Sequence, residues 1–443
     1  MAGHSHVSLA NEKMQFEFTS KLKTQLMTVM ALGVAFVAIW IIWSIVVPVA
    51  ETHGHGGHAL ASGGGEEVGH GYSWTKRLWA NLWLCAYYFN GIALVGVFFV
   101  AVNYVAWAGW SAMIKRVPEA FGYFLMVTGP VLLVVFLLGG HDIFHWTHAE
   151  LYDTKSAHYD PIIAGKAGFL NTSMFIGLMA IFFGLWIGLF LYIRKMSLEE
   201  DKITDYKGYL KQPDLYNKIV YWSAGFIIVF AVSNSVSAWH WVMSIDAHWF
   251  STMFGWYNFA SYFVAGMATV TLAVVLLKEQ GYFVNVSIHH LHDLGKFMFA
   301  FSVFWTYIWF SQFMLIYYAH LPEETIYFYP RLFGEYRPIF FLNLLINFFF
   351  PFLALMAKES KRTMLILKIV ACAILIGHYI DFYMMIMPGT VGKHYDFGLV
   401  EFGCIMIFAS AFIYMFAYQL SKASLIAKNH PFIKESMNFS QFN

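Results

Sequence analysis

Charge is scarce in this chain. Of 443 residues only 12% are Asp, Glu, Lys or Arg, against about 25% in soluble domains. Cysteine is scarcer. Cys85, Cys372 and Cys404 are the whole complement, all inside apolar runs and without a C-x-x-C pair. That spacing argues against iron–sulfur ligation, c-type haem attachment and a disulfide framework. Buried cysteine in an apolar helix normally packs as a small hydrophobe. No helix carries two histidines deep in apolar sequence, so b-type haem is not expected. No G-x-x-x-x-G-K loop is present, and no polar stretch is long enough for a separate soluble domain. The net charge of +1 points to no nucleic-acid partner.

Hydrophobic residues make up 59% of the chain and aromatics 20%. A membrane span needs about 20 predominantly apolar residues. Ten such runs are readable: Leu26–Val49, Trp79–Ala106, Ala120–Gly140, Gly168–Ile193, Ile219–Trp239, Thr252–Leu277, Phe297–Ala319, Ile339–Met356, Met364–Met387 and Phe397–Leu420. The first lacks an A-x-A-like cleavage site and exceeds a signal-peptide core, so it is expected to stay as an anchor. The fold expected is an all-α polytopic membrane protein.

Basic residues mark the cytoplasmic side of a membrane protein. Of the 27 lysines and arginines, only Lys76, Arg77, Lys155, Lys166, Arg331, Arg337 and Lys393 fall on the side away from the N-terminus. Both termini are therefore expected in the cytoplasm.

A weak internal repeat relates "AYYFNGIALV" (Ala86–Val95) to "ASYFVAGMATV" (Ala260–Val270), and "PEAFGYF" (Pro118–Phe124) to "HDLGKFMF" (His292–Phe299). Four spans separate the copies, so both run in the same direction, as in parallel membrane repeats. The expected organisation is a cytoplasmic segment 1–25, a flanking span 26–49 and a His/Gly-rich outer loop 50–78. A first four-helix bundle (79–240, spans two to five) and a second (241–388, spans six to nine) follow. A flanking tenth span (389–420) and a cytoplasmic tail (421–443) complete the chain. His53, His55, His58 and His70 in the outer loop are a flexible connector or a weak metal site.

An ionisable residue inside a span costs at least ~2.5–3.5 kcal/mol on insertion scales, so it marks a partner or a cavity. In "GHYIDFYMMIMP" His378 and Asp381 are three apart and share a helical face. Glu401 in span ten lies in the same outer half of the membrane. The three are expected to meet as a proton-handling cluster; a structural hydrogen-bonded pair is the alternative. In "LLGGHDIFHWTHAELYD" (Leu137–Asp153) His141 and His145 are four apart at the outer end of span three, with Asp142 offset by about 100° of rotation. Histidine as a residue type changes charge near neutral pH and a carboxylate can be tuned toward it, so the set could take protons from a reduced substrate. Helix capping or a shared zinc ion are the other readings. Span five ends near His240, and Asp246 and His248 follow in the outer connection. Asn234 sits among serines, and Asn343 and Asn347 lie four apart in span eight; most such groups only join helices. Asp293 and Lys296, three apart, mark the inner end of span seven as a pair or as inner-mouth proton groups.

The stretches "SVSAWHWVMSIDAHWFSTMFGWYNFASYFVAG" (Ser235–Gly266) and "LHDLGKFMFAFSVFWTYIWFSQFMLIYYAHLPEET" (Leu291–Thr325), with the ten-span plan, resemble the NrfD/polysulfide-reductase family of membrane subunits. The resemblance is in particular to the second such subunit of bacterial alternative complex III. It implies a haem-free subunit of a quinol:electron-acceptor oxidoreductase with a quinone or menaquinone substrate. The implied partners are an iron–sulfur subunit, c-type cytochrome subunits, a second NrfD-like subunit and, further off, a terminal oxidase. By position His141, Asp142 and His145 would correspond to the family's quinol site. His378, Asp381 and Glu401 would correspond to its proton-conducting residues, with His240, Asp246, His248, Asp293 and Lys296 as further proton-path candidates. A structural copy without a quinol site and an independent proton-coupled transporter are the competing classes; co-purifying cytochromes would separate them.

Overall fold

The computed structural model describes residues 12–46, 73–393 and 397–440; the four histidines of the His/Gly-rich loop lie outside them. Among the described residues there is no β-strand, only an isolated bridge between Gln15 and Ser424. Ten helices are long and apolar enough to cross a membrane: α1 (Ser20–Val46), α2 (Trp74–Val105), α3 (Arg116–Ile143), α4 (Thr172–Glu200), α5 (Asp214–Ile245), α6 (Phe254–Glu279), α7 (Ile288–Ala319), α8 (Arg337–Ala354), α9 (Met364–Thr390) and α10 (Leu399–Ser421). The chain is an all-α, multi-pass membrane protein.

Several helices outrun their apolar stretch because polar caps extend them. Ser73 Oγ accepts from Thr75 N–H ahead of α2, and Asn171 Oδ1 accepts from Met174 N–H ahead of α4. Before α7, Ser287 Oγ accepts from His289 N–H while His290 Nδ1 accepts from Ser287 N–H. This reciprocal cap starts the helix at Ile288, well before the apolar run at Phe297.

Helices α2 to α5 close into one four-helix ring and α6 to α9 into a second. The rings meet where α2 packs on α6, the two most buried of the ten helices. The first pair of repeated segments, Ala86–Val95 and Ala260–Val270, lies at this contact. A Cβ on Gly91 would sit 1.8 Å from the Tyr262 ring, and one on Gly266 would sit 2.3 Å from Val95. Only glycine permits either approach. Helix α1 buries little beyond Leu26, Gly33 and Trp40, a seven-residue spacing that forms one seam. That seam rests on α10, which in turn packs on α2 and α3.

Residues 12–17 and 424–439 lie on one face of the molecule. Glu12 accepts from Val284 and Asn285 N–H in the α6–α7 connection, and Leu425 N–H donates to Met14 O. We call this the terminal face and the opposite one the distal face.

Candidate functional site

All four helices of the second ring converge on Asp381. Its Oδ1 accepts from Asn343 Nδ2 of α8 at 2.9 Å and from the Tyr257 hydroxyl of α6. Its Oδ2 accepts from Ser261 Oγ of α6 at 2.6 Å and from Trp305 Nε1 of α7 at 3.0 Å. The carboxyl is wholly buried. A hydrogen bond to a charged group is worth about 1.5–3 kcal/mol, so four donors offset the insertion cost of a carboxylate. Trp305 Nε1 can only donate, whereas the Tyr257 and Ser261 hydroxyls can give or take. Ser261 Oγ also lies 3.0 Å from Tyr257 O. When Asp381 takes a proton, Ser261 can turn its own proton to that carbonyl without moving a heavy atom.

The local sequence builds this geometry. In "LNLLINFFFP" Pro351 has no N–H for the carbonyl of Asn347 and crowds it. The helix widens there into a π turn over Leu345–Phe349, a bulge often found at functional sites. Asn347 Nδ2 then donates to Asn343 Oδ1 at 2.5 Å, which aims the Asn343 amide at Asp381. Facing them, a Cβ on Gly377 would lie 2.2 Å from Asn347 Oδ1, so α9 carries no side chain at that crossing.

His378 stands beside this cluster as the sequence spacing requires. Its Nδ1 is 3.6 Å from Asp381 Oδ2, beyond a good hydrogen bond, and the ring meets Trp305 edge-on at 5.5 Å. The side chain is fully buried and neither ring nitrogen has a hydrogen-bond partner. Each such group costs about 1–3 kcal/mol.

On its distal side the cluster opens on a cavity of about 20 Å³ lined by Tyr257, Asn343, Gln312, Tyr327, Arg331 and apolar side chains. That is room for about one water molecule. Arg331 closes the far wall.

Glu401 does not join His378 and Asp381. It sits in the first turn of α10, where Oε2 accepts from Gly398 N–H at 2.8 Å. Arg77 of α2 grips both carboxylate oxygens at 2.8 Å, and Asn81 Nδ2 adds a bond of 2.9 Å to Oε1. The expected three-residue cluster is therefore two separate sites. Depth along the membrane was readable, but rotation about it was not: Glu401 faces α2, whereas the Asp381 side of α9 faces α6, α7 and α8. Arg77, counted from the sequence only as a surface charge, is buried with it.

At the distal end of the first ring the helix of "LLGGHDIFHWTHAELYD" stops at Ile143. His145 opens a separate 3-10 turn, His145–Thr147, so His141 and His145 share no helical face. His148 links them instead: its ring lies 5.4 Å from that of His141 and 5.6 Å from that of His145. His141 is exposed and its Nδ1 is 2.9 Å from Thr147 Oγ1, while Asp142 lies within electrostatic reach of Lys76. Among the described residues no group of three or more His, Cys, Asp or Glu side chains is disposed to hold a metal ion.

The remaining candidates are dispersed. His240 is buried against Phe169, Phe175 and Trp146, and its Nε2 donates to Phe169 O at 2.9 Å. His248 pairs with Asp160. Burial opposes ionisation of that aspartate, but the N–H groups of Ile163 and Ile162 and the His248 ring hold it below the usual carboxylate range. Asp246 pairs with Arg331. Asp293 and Lys296 form an ion pair of 2.5 Å at the start of α7.

One site had no sequence signal beyond the count of basic residues. At the terminal face Lys115, Arg116 and Arg194 are buried with Glu119 and Glu200. Arg116 bonds Glu119 at 2.9 Å, Ser197 and Asp201; Arg194 pairs with Glu119; Lys115 contacts Tyr104 and Glu200. Burial pushes the Lys115 ammonium below its ordinary pKa, with Glu200 and Glu119 opposing. The tail covers this network. Asn429 Nδ2 reaches the carbonyls of Glu200, Asp201 and Ile203, and the His430 ring packs on Tyr104 and Tyr216.

No family model and no curated protein sequence matches the chain.

Proposed function

We propose that this chain is the haem-free membrane subunit of a quinol-oxidising respiratory complex and that its second helix ring carries protons between Asp381 and the distal face. One observation supports the conduction reading above the others. A buried carboxyl takes hydrogen bonds from all three neighbouring helices, beside an imidazole with both nitrogens unpartnered and a water-sized cavity on its distal side. A structural pair needs neither the free imidazole nor the cavity.

Quinol oxidation releases two electrons and two protons. The electrons pass to an iron–sulfur subunit and c-type cytochromes outside this chain, and a second NrfD-like subunit and a terminal oxidase complete the assembly. In this reading the bilayer is the bacterial inner membrane, both termini are cytoplasmic and the distal face is external. His141, Asp142 and His145, with His148, form the quinol-facing end of the first ring. Asp381 and His378 are the proton-carrying groups, and Glu401 anchors α10.

The test is Asp381→Asn in the purified complex, reconstituted in vesicles. Quinol-driven electron flow persists while proton appearance on the distal side falls. Unchanged proton release at unchanged electron flux would refute the role of Asp381. A mass-spectrometric survey of co-purifying chains tests the assembly: cytochromes and an iron–sulfur protein are expected. A chain that purifies alone is a transporter.

A further inference from the structure

The cavity beside Asp381 ends at a single cation. Arg331 is only 2% exposed, yet it lies in the connection between α7 and α8, outside both spans. Its Nε donates to Met384 O at 2.9 Å, and one terminal nitrogen donates to Tyr327 O at 2.5 Å. The other reaches Asp246 Oδ2 at 3.2 Å and Met385 O at 3.4 Å. The guanidinium also stands over the Tyr327 ring, 3.5 Å from its centroid.

This is a built position. Pro388 in α9 has no N–H, so the carbonyl of Met384, four residues earlier, has no helical donor. That carbonyl receives Arg331 Nε. A proline that merely kinked the helix would leave the carbonyl to be satisfied by chance. Here the freed acceptor, the Tyr327 carbonyl and an aromatic face hold one charged fork at the cavity wall. Asp246, its one carboxylate partner in an ion pair, is partly exposed on the distal side.

We propose that Arg331 is the selectivity barrier of the proton route: its fixed positive charge excludes hydronium and other cations from the cavity when no turnover drives them. Asp246 is the distal-side group that orients it. An arginine used this way blocks cation passage in other pores through charge and donors at a constriction. The assignment rests on the conduction reading above, and the experiment separates the two.

The complex is placed in vesicles without quinol, and passive proton influx is followed under an imposed potential. The intact protein is tight. Arg331→Gln raises influx about tenfold, the change that removal of about 1.4 kcal/mol from a barrier produces. Arg331→Lys keeps the charge without the fork and stays tight. Asp246→Asn leaves the charge in place and also stays tight. Arg331→Met, a second variant without the charge, leaks like the glutamine variant and is read in its place if that one does not assemble, a tight Arg331→Met overturning the barrier. Adding Asp381→Asn to the leaky variant closes it again. An assembled Arg331→Gln protein that does not leak overturns the barrier, as does a leak of equal size in the lysine or Asp246 variant. A glutamine leak that survives Asp381→Asn leaves the barrier standing and removes Asp381 from the route.

Discussion

Four donors on three helices hold Asp381, and this decides how its replacement behaves. An asparagine presents an NH₂ where two donors already point. On the Asn343 side the conflict has a remedy: Asn343 and Asn347 can turn together, because Asn347 Oδ1 is unpartnered. Asp381→Asn should therefore cost no more than about 1–3 kcal/mol and still assemble, as a flux measurement requires. Glu401 behaves in the opposite way. Its neutralisation takes from the buried Arg77 guanidinium the carboxylate that it grips with two bonds, and breaking such a pair costs about 3–5 kcal/mol. Glu401→Gln should lower the thermal midpoint and the yield, while the protein that does assemble releases protons per electron as before. A normal midpoint with reduced proton release would return Glu401 to the route.

The C-terminal tail is the element whose behaviour depends on pH. His430 is buried between Tyr104, Tyr216 and Phe432. Burial holds its pKa well below the ordinary value; Lys115 and Arg116 push the same way, and Glu119 opposes. The docked ring therefore stays neutral where a released ring takes a proton. Stability of the docked tail is full above about pH 6.5 and is lost as pH falls from there toward the depressed value, by up to about 1.4 kcal/mol per pH unit. Proteolysis near Lys428 and Lys434 should accelerate between pH 7.5 and 5. His430→Asn should weaken the pH dependence, leaving only what His290 contributes where its ring meets Ser436 and Phe439. Equal cleavage of the intact chain at both values would show that protonation of His430 does not govern docking of the tail.

The whole molecule is two helix rings joined at α2 and α6, with α1 and α10 on one flank. An even number of crossings among the described helices puts the residues before α1 and after α10 on one face, as the contact of Gln15 with Ser424 shows. That face is expected in the cytoplasm. A reporter active only outside the cytoplasm, fused to the C-terminus, should be silent, and a strong signal would reverse the proposed direction of proton release.

Hydropathy alone was enough for the ten helices, because a chain with so few charges has few ways to satisfy its backbone in lipid. The 3.6-residue period was enough to place His378 beside Asp381, since both belong to one rigid helix. Their partners were not legible. Tyr257, Ser261, Trp305 and Asn343 come from other helices, and apolar surfaces that suit lipid and protein equally do not specify which side of a helix turns inward. The same freedom hid Arg77 from Glu401 and the buried charges around Glu119 from a count of basic residues. For His145 the sequence period misled, because α3 ends at Ile143. Helix length and spacing within a helix are local and follow from composition. Which helix faces which is set by close approaches such as Gly91 on Tyr262 and Gly377 on Asn347, and these exist only once the rings have packed.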